Sequence, residues 1–225
     1  ASESGKSKGQ FYTPSEVSRV IAKVIGISPQ TTVAATTAYD PTCGSGTLVI
    51  EAALLAAGRA PGRHRSFAFQ SWPTFVPALW SALLAAADAA VRPVAPGLLY
   101  AADLDPEATA LARRNAARVG VESLISWSVA DLSRSQLPAG PPGLVLANPP
   151  YGVRLHTPQR LYRDLGRLAR SRDGWRLGVL TSDPQLARAA GPFTQSHCLH
   201  SGGLRVTLYL RDPSAAAKST SAAAP

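Results

Sequence analysis

A doubly wound α/β domain, with a mostly parallel sheet and helices on both faces, is predicted by three observations. Short apolar runs alternate with longer helical stretches, the pattern of strand–helix–strand units. Pro stands at the first helical position of three stretches, at Pro106, Pro158 and Pro184, where its missing N–H costs nothing. A Gly-containing turn, Cys43-Gly44-Ser45-Gly46, separates a strand from a helix, where such sheets bind ligands beyond their C-terminal strand edge.

The elements follow in order. Residues 1–10 are Gly/Ser/Lys-rich and read as a flexible tail, leaving a domain over residues 11–212. A helix is predicted over Pro14–Ile25, a strand over Thr36–Tyr39 and a helix over Thr47–Ala57. Residues 59–80, rich in aromatic and basic side chains, interrupt the alternation as an insertion. The alternation resumes with helix Pro77–Ala90, strand Leu98–Ala102, helix Pro106–Val119 and strands Ile125–Val129 and Leu144–Ala147. Helix Pro158–Arg170, strand Leu177–Thr181, helix Pro184–Ala189 and strand Val206–Leu210 complete it. Residues 213–225 (PSAAAKSTSAAAP) are of low complexity and read as a disordered tail.

Composition narrows the function. The chain has 225 residues, 45% of them hydrophobic and only 16% charged, which excludes a wholly disordered protein. No run of apolar residues is long enough to span a bilayer, and no secretory signal is visible, so a cytoplasmic location without membrane partners is expected. Two cysteines, Cys43 and Cys198, cannot make a disulfide scaffold or a four-ligand zinc site. His197 and His200 stand three apart, but without a third ligand they read as loop residues, and no metal is expected. The net charge of +9 and pI near 10.2 point to an acidic partner, nucleic acid first. All but four of the cations are Arg, which grips phosphate with two parallel hydrogen bonds, although GC-rich codons would give the same bias.

Three motifs carry chemistry. In Asp40-Pro41-Thr42-Cys43-Gly44-Ser45-Gly46-Thr47, the glycines let backbone approach a ligand, and the turn delivers N–H groups at a helix N-terminus. The position three after Gly46 is Val49, so the dinucleotide fingerprint fails. Asp40 would repel a pyrophosphate and suits a cationic or hydrogen-bond-donating ligand. In Tyr100-Ala101-Ala102-Asp103-Leu104-Asp105-Pro106, a strand-end acid can accept both hydroxyls of a ribose, although a lone Asp there is also a helix cap. Asp131 ends the next strand and has the same two readings. Asn148-Pro149-Pro150-Tyr151 follows an apolar strand. Its prolines fix the loop, so that the Asn148 amide oxygen and the Pro149 carbonyl become two rigid acceptors for the two N–H groups of an exocyclic amine. Tyr151 can stack on a base that has left its helix or is unpaired.

On these residues the chain resembles the class I S-adenosylmethionine-dependent amino-methyltransferases of nucleic acids. The resemblance implies a Rossmann-like, seven-stranded sheet with an antiparallel last strand, in a hairpin around Leu204–Leu210. It implies S-adenosylmethionine as cofactor. Asp40, Pro41, Gly44 and Gly46 would surround its methionine end, with Cys43 as small filler, Asp103 and Leu104 at the adenosine, and Asp131 at the adenine amino group. Asn148 would lie beside both cofactor and substrate, and Asn148 to Tyr151 would be catalytic.

Two narrower resemblances divide the chain. From about Gly5 to Gly46, with Phe11-Tyr12-Thr13-Pro14, it resembles the modification subunit of type I restriction enzymes, DNA adenine-N6 methylases. This implies Phe11, Tyr12 and Thr13 near the cofactor. From Asp40 to about Arg211 it resembles RNA guanine-N2 methyltransferases that usually carry a THUMP domain, through Arg65-Ser66-Phe67-Ala68-Phe69-Gln70, ARRNAARVGV, ANPPYGVRL, LYRDLGRL and HSGGLRVTLYL. The second covers more of the chain, so methylation of guanine N2 in structured RNA is expected, with DNA adenine-N6 methylation as the alternative. A nucleic-acid-binding module without turnover is a third reading, since the residues ahead of the motifs are too few to hold a THUMP domain. A partner subunit or a further RNA-binding domain would then select the substrate.

Residues 151–211 contain ten Arg and three Asp, so most of the net charge lies downstream of the Asn148 loop. On the helix from Pro158, Arg160, Arg163, Arg167 and Arg170 form one stripe, and Leu161, Leu165 and Leu168 form another that faces the sheet. With Arg154 and Arg65, the Arg stripe is the expected nucleic-acid surface, unless it is only a solvated helix face. Arg59, Arg63, His64 and Arg65, interleaved with Phe67, Phe69 and Trp72, suit unpaired bases or the core of the insertion.

Overall fold

A computed structural model describes residues 37–63, 65–149, 158–201 and 204–213. The helix expected over Pro14–Ile25 and the Phe11-Tyr12-Thr13 box lie outside them. So do His64, Pro150, Tyr151, Arg154 and nearly all of both expected tails.

Seven strands form one sheet: β1 (Ala38–Asp40), β2 (Leu99–Asp103), β3 (Ile125–Val129), β4 (Leu144–Ala147), β5 (Arg176–Thr181), β6 (Gln195–Ser201) and β7 (Leu204–Arg211). Their order is β3-β2-β1-β4-β5-β7-β6. The first five run parallel to one another, and β7 runs antiparallel to both β5 and β6. The helices are α1 (Thr47–Ala56), α2 (Pro77–Ala89), α3 (Pro106–Arg118), α4 (Pro158–Arg170) and α5 (Pro184–Ala190). This is the predicted Rossmann-like sheet, with its last strand antiparallel.

The central strand β4 is apolar throughout because both of its faces are covered. In β4, Leu144 and Leu146 join one core with α1 and with Ala112 and Ala116 of α3. Val145 and Ala147 join the other, with Leu165 and Leu168 of α4 and Leu186 of α5. One residue of register would exchange the two sets, so the burial pattern fixes the pairing. Asp105 and Asp183 cap α3 and α5, accepting hydrogen bonds from Glu107 N and from Gln185 N and Leu186 N, directly ahead of Pro106 and Pro184.

Strand β6 corrects the reading of His197 and His200 as loop residues. Its sequence, Gln-Ser-His-Cys-Leu-His-Ser, hides its alternation. His197 and Leu199 are half-buried while Ser196, Cys198 and His200 are exposed, and a half-buried His does not stand out as the apolar member of a pair.

Helix α2 also departs from the usual rule. It is apolar on nearly every side, which ordinarily marks a core helix, yet none of its residues is buried. Trp80 meets Phe67 and Phe69 edge-on at 5.9 and 5.3 Å, while Leu79 and Leu83 stay exposed. With Trp72 and Val76 they line an open apolar groove of about 310 Å³.

Candidate active site

The strand order reverses at β1, between β2 and β4, which opens a crevice at the C-terminal ends of these strands. Three motifs meet there: the Asp40 turn after β1, Asp103 at the end of β2, and Asn148 after β4.

The Asp40 turn is tied to the β2–α3 unit at three points. Cys43 N donates to Ala102 O at 2.8 Å, Gly44 N to Asp103 Oδ2 at 2.8 Å, and Asn115 Nδ2 to Ser45 O at 3.0 Å. Within the turn, Thr42 N donates to Asp40 Oδ1 at 3.1 Å and Gly46 N to Cys43 O at 2.7 Å. The two glycines serve different ends. A Cβ on Gly46 would stand 2.9 Å from Ala112 Cβ, so this glycine lets α1 start against α3. A Cβ on Gly44 would meet nothing within 4 Å, so this backbone borders open space. Pro41 and Cys43 are buried. Burial pushes the Cys43 thiol far up, which suits packing and not nucleophilic attack.

Asp40 is only 5% exposed. Burial pushes its carboxyl up to about 8; the Thr42 N–H opposes the shift and the nearby Asp103 carboxylate adds to it. No cation pairs with it among the described residues. A buried carboxyl without a cation, beside an open glycine cradle, fits a ligand that brings its own positive charge, as the methionine end of S-adenosylmethionine does. Asp103 is held from two sides, by Gly44 N on Oδ2 and by Asp105 N on Oδ1 at 3.0 Å. Leu104 beside it is 68% exposed, an apolar side chain at the mouth of the crevice. Asp131 caps the 3₁₀ turn Leu132–Arg134, accepting from Ser133 N at 2.8 Å. That hydrogen bond holds its carboxyl below the ordinary range, with Arg134 and Arg160 adding smaller attractions.

Asn148 is half-exposed and Pro149 buried, three and four residues beyond Val145, which pairs with Tyr39 of β1. The register therefore sets Asn148 beside the Asp40 turn.

The basic residues divide. Arg59 donates to Val119 O at 2.7 Å, and Arg63 binds Asp88 through two hydrogen bonds, so both serve the insertion. Arg65 stacks on the Phe67 ring at 4.9 Å. On α4, Arg160 and Arg167 flank Asp164 at 3.9 and 3.3 Å. Arg167 also reaches Ser133 O at 2.7 Å, and Arg170 reaches Ala190 O at 2.9 Å. Arg163 makes no hydrogen bond or ion pair among the described residues. Arg172, just past the helix, donates to Pro138 O and Gly140 O.

Two positions had no assigned role in the sequence. Gly166 lets α4 pack on the end of α5, since a Cβ there would collide with Ala190 O. Asn115, inside the stretch ARRNAARVGV, holds the Gly loop from α3. Its signal was an amide among Ala and Arg in a helix, where Asn is a poor helix former. Among the described residues, no three His, Cys, Asp or Glu side chains gather as metal ligands would, and no helix is long and apolar enough to cross a membrane.

The chain is 41% identical over 186 residues to the ribosomal RNA large subunit methyltransferase K/L of Legionella pneumophila (strain Lens), covering 80% of this chain and 26% of the relative. It thus spans about a quarter of that protein. Among solved structures it is similar to SMU.472, named as a methyltransferase and complexed with SAH, with a TM-score of 0.80, 28% identity, and 91% of this chain and 54% of the other covered. It is also similar to a protein of Listeria monocytogenes named as a predicted N6-adenine-specific DNA methylase, with a TM-score of 0.77, 26% identity, and 92% and 53% of the two chains covered. Residues 11–205 match the RMKL-like methyltransferase domain, and the chain belongs to that family.

Proposed function

We propose that this domain transfers a methyl group from S-adenosylmethionine to an exocyclic amine of a nucleic-acid base, most specifically guanine N2 in structured RNA. The observation that carries the reading is the crevice itself: buried Asp40 with no cation among the described residues, the open Gly44 backbone and Asp103, all beside Asn148-Pro149. Asp40, with the turn at Pro41, Gly44 and Gly46, faces the methionine end. Asp103 and Leu104 face the adenosine, and Asp131 its amino group. Phe11, Tyr12 and Thr13 belong to the same pocket in this reading.

Bound cofactor supplies an activated methyl on a sulfonium. The chain's part is positioning. The Asn148 side-chain oxygen and the Pro149 carbonyl accept hydrogen bonds from the two N–H groups of the target amine, which turns the nitrogen lone pair toward the methyl. Pro150 keeps the loop rigid and Tyr151 stacks on the base. Arg65, Arg154 and the first two arginines of the α4 stripe, Arg160 and Arg163, meet phosphate.

RNA is favoured by the 41% identity to a ribosomal RNA methyltransferase. Substrate selection then draws on chain or partners beyond this domain, since the match spans only 26% of the relative. DNA adenine-N6 methylation is a second reading, favoured by the Phe11-Tyr12-Thr13-Pro14 box and by the Listeria neighbour's name. Incubation with methyl-labelled S-adenosylmethionine and, in parallel, ribosomal RNA, transfer RNA and duplex DNA separates them. N2-methylguanosine from RNA is expected; N6-methyladenine from DNA would establish the second reading. Cofactor binding without a product would leave a binding module.

A further inference from the structure

Asn115 lies on α3, outside the three motifs, yet its side chain reaches the centre of the first one. Its amide donates to Ser45 O, between the two glycines of the turn. The Cys43–Gly44 peptide group, one link further back, is held from the same unit, because Gly44 N donates to Asp103 Oδ2. The residue one helical turn before Asn115 is Ala112, whose Cβ fills the place a side chain at Gly46 would take. The turn is thus gripped at an N–H, at a C=O and by close packing, all from β2 and α3. With the peptide groups on both sides of the Gly44–Ser45 link held, and joined to each other by Gly46 N donating to Cys43 O, the backbone between them has little freedom to rotate, so the free face of Gly44 is set before any ligand arrives.

We propose that Asn115 is a positioning residue for the cofactor: by anchoring Ser45 O it sets the Gly44–Gly46 backbone that receives the methionine end. The inference rests on the S-adenosylmethionine reading above. A merely stabilising Asn115 would weaken every ligand of the crevice alike when replaced. A positioning Asn115 affects the methionine end selectively, because the adenosine end is held by Asp103.

The test is calorimetric titration with S-adenosylhomocysteine and with 5′-methylthioadenosine, which lacks the amino-acid portion. Asn115→Asp keeps the shape and removes the donor. It is expected to weaken S-adenosylhomocysteine about tenfold, the scale of one neutral hydrogen bond, and methylthioadenosine less than about threefold. Arg114→Ala, on the exposed side of α3, is expected to change neither. Equal losses for both ligands, or no loss for either, would overturn the role. Asn115→Ala is the second variant, since it leaves Ser45 O without introducing a charge. Failure of both variants to fold would assign the contact to stability instead. Wild-type protein that binds neither ligand overturns the cofactor reading, and this role with it.

Discussion

At the Gly loop, each of the polar contacts described joins different elements or caps a turn, and the free surface that results is small and sharply defined. Along the exposed face of α4, four arginines share one stripe but not one task. Arg170 closes the end of α5 through Ala190 O, and Arg167 ties α4 to Ser133. Arg163 is unengaged among the described residues, and Arg160 makes only a 3.9 Å approach to Asp164. The loop derives specificity from fixed backbone. In the proposed function the helix offers phosphate what remains after structural needs are met, at its N-terminal end. A side chain's pattern therefore says less about its role than its partners do.

The contrast can be broken most strongly at Asp103. Its carboxylate accepts from the backbone of two loops and is proposed to face the adenosine, so Asp103→Ala should weaken S-adenosylhomocysteine about 100-fold by calorimetry, as expected when charge-assisted hydrogen bonds are lost together. A change below about threefold would remove it from the site.

The stripe comes next. Arg160→Glu with Arg163→Glu should weaken RNA binding about tenfold or more and reduce the slope of log affinity against log salt by about 2. Arg170→Ala should leave RNA affinity within about twofold and lower Tm by about 2–4 °C, because Ala190 O loses its donor. Equal effects on RNA binding from both ends would return the stripe to a uniform charged face.

The smallest effect is a pH dependence at Asp40. Its folded-state value of about 8 lies above its ordinary 3.8, so the folded protein holds the proton that the unfolded chain releases. That stabilisation is fully present below about pH 4, declines as pH rises, and is gone above about pH 8. Thermal melts of the free protein should therefore fall in Tm across that window by more than those of Asp40→Asn. S-adenosylhomocysteine brings an ammonium to the carboxyl, so binding should release a proton between pH 6 and 8, seen as heats that vary with the buffer's ionisation enthalpy. Parallel profiles for wild type and Asp40→Asn would contradict the assignment.

Much of this was legible in the sequence because short-range physics fixed it. Buried parallel strands have to be apolar runs, Pro at the first helical position marks starts, and Asp40, Asp103 and Asn148 end strands at one edge. The split within the Arg stripe was not legible, because it depends on which carbonyls α5 and the Leu132–Arg134 turn present across the fold. Asn115 was hidden for the same reason, since its partner lies 70 residues away. Strand β6 was hidden by its histidines, and the exposed α2 by an apolar composition that elsewhere means burial.

The central claim is that the loops after β1 and β2 hold the cofactor while Asn148 aligns the amine. It is tested most directly by measuring turnover and S-adenosylhomocysteine affinity together for Asn148→Ala. Turnover on RNA should fall by at least about 10³-fold, the scale on which misplaced reacting groups cost rate, with affinity within about threefold of wild type. Loss of both in parallel, or retention of turnover, would contradict the account.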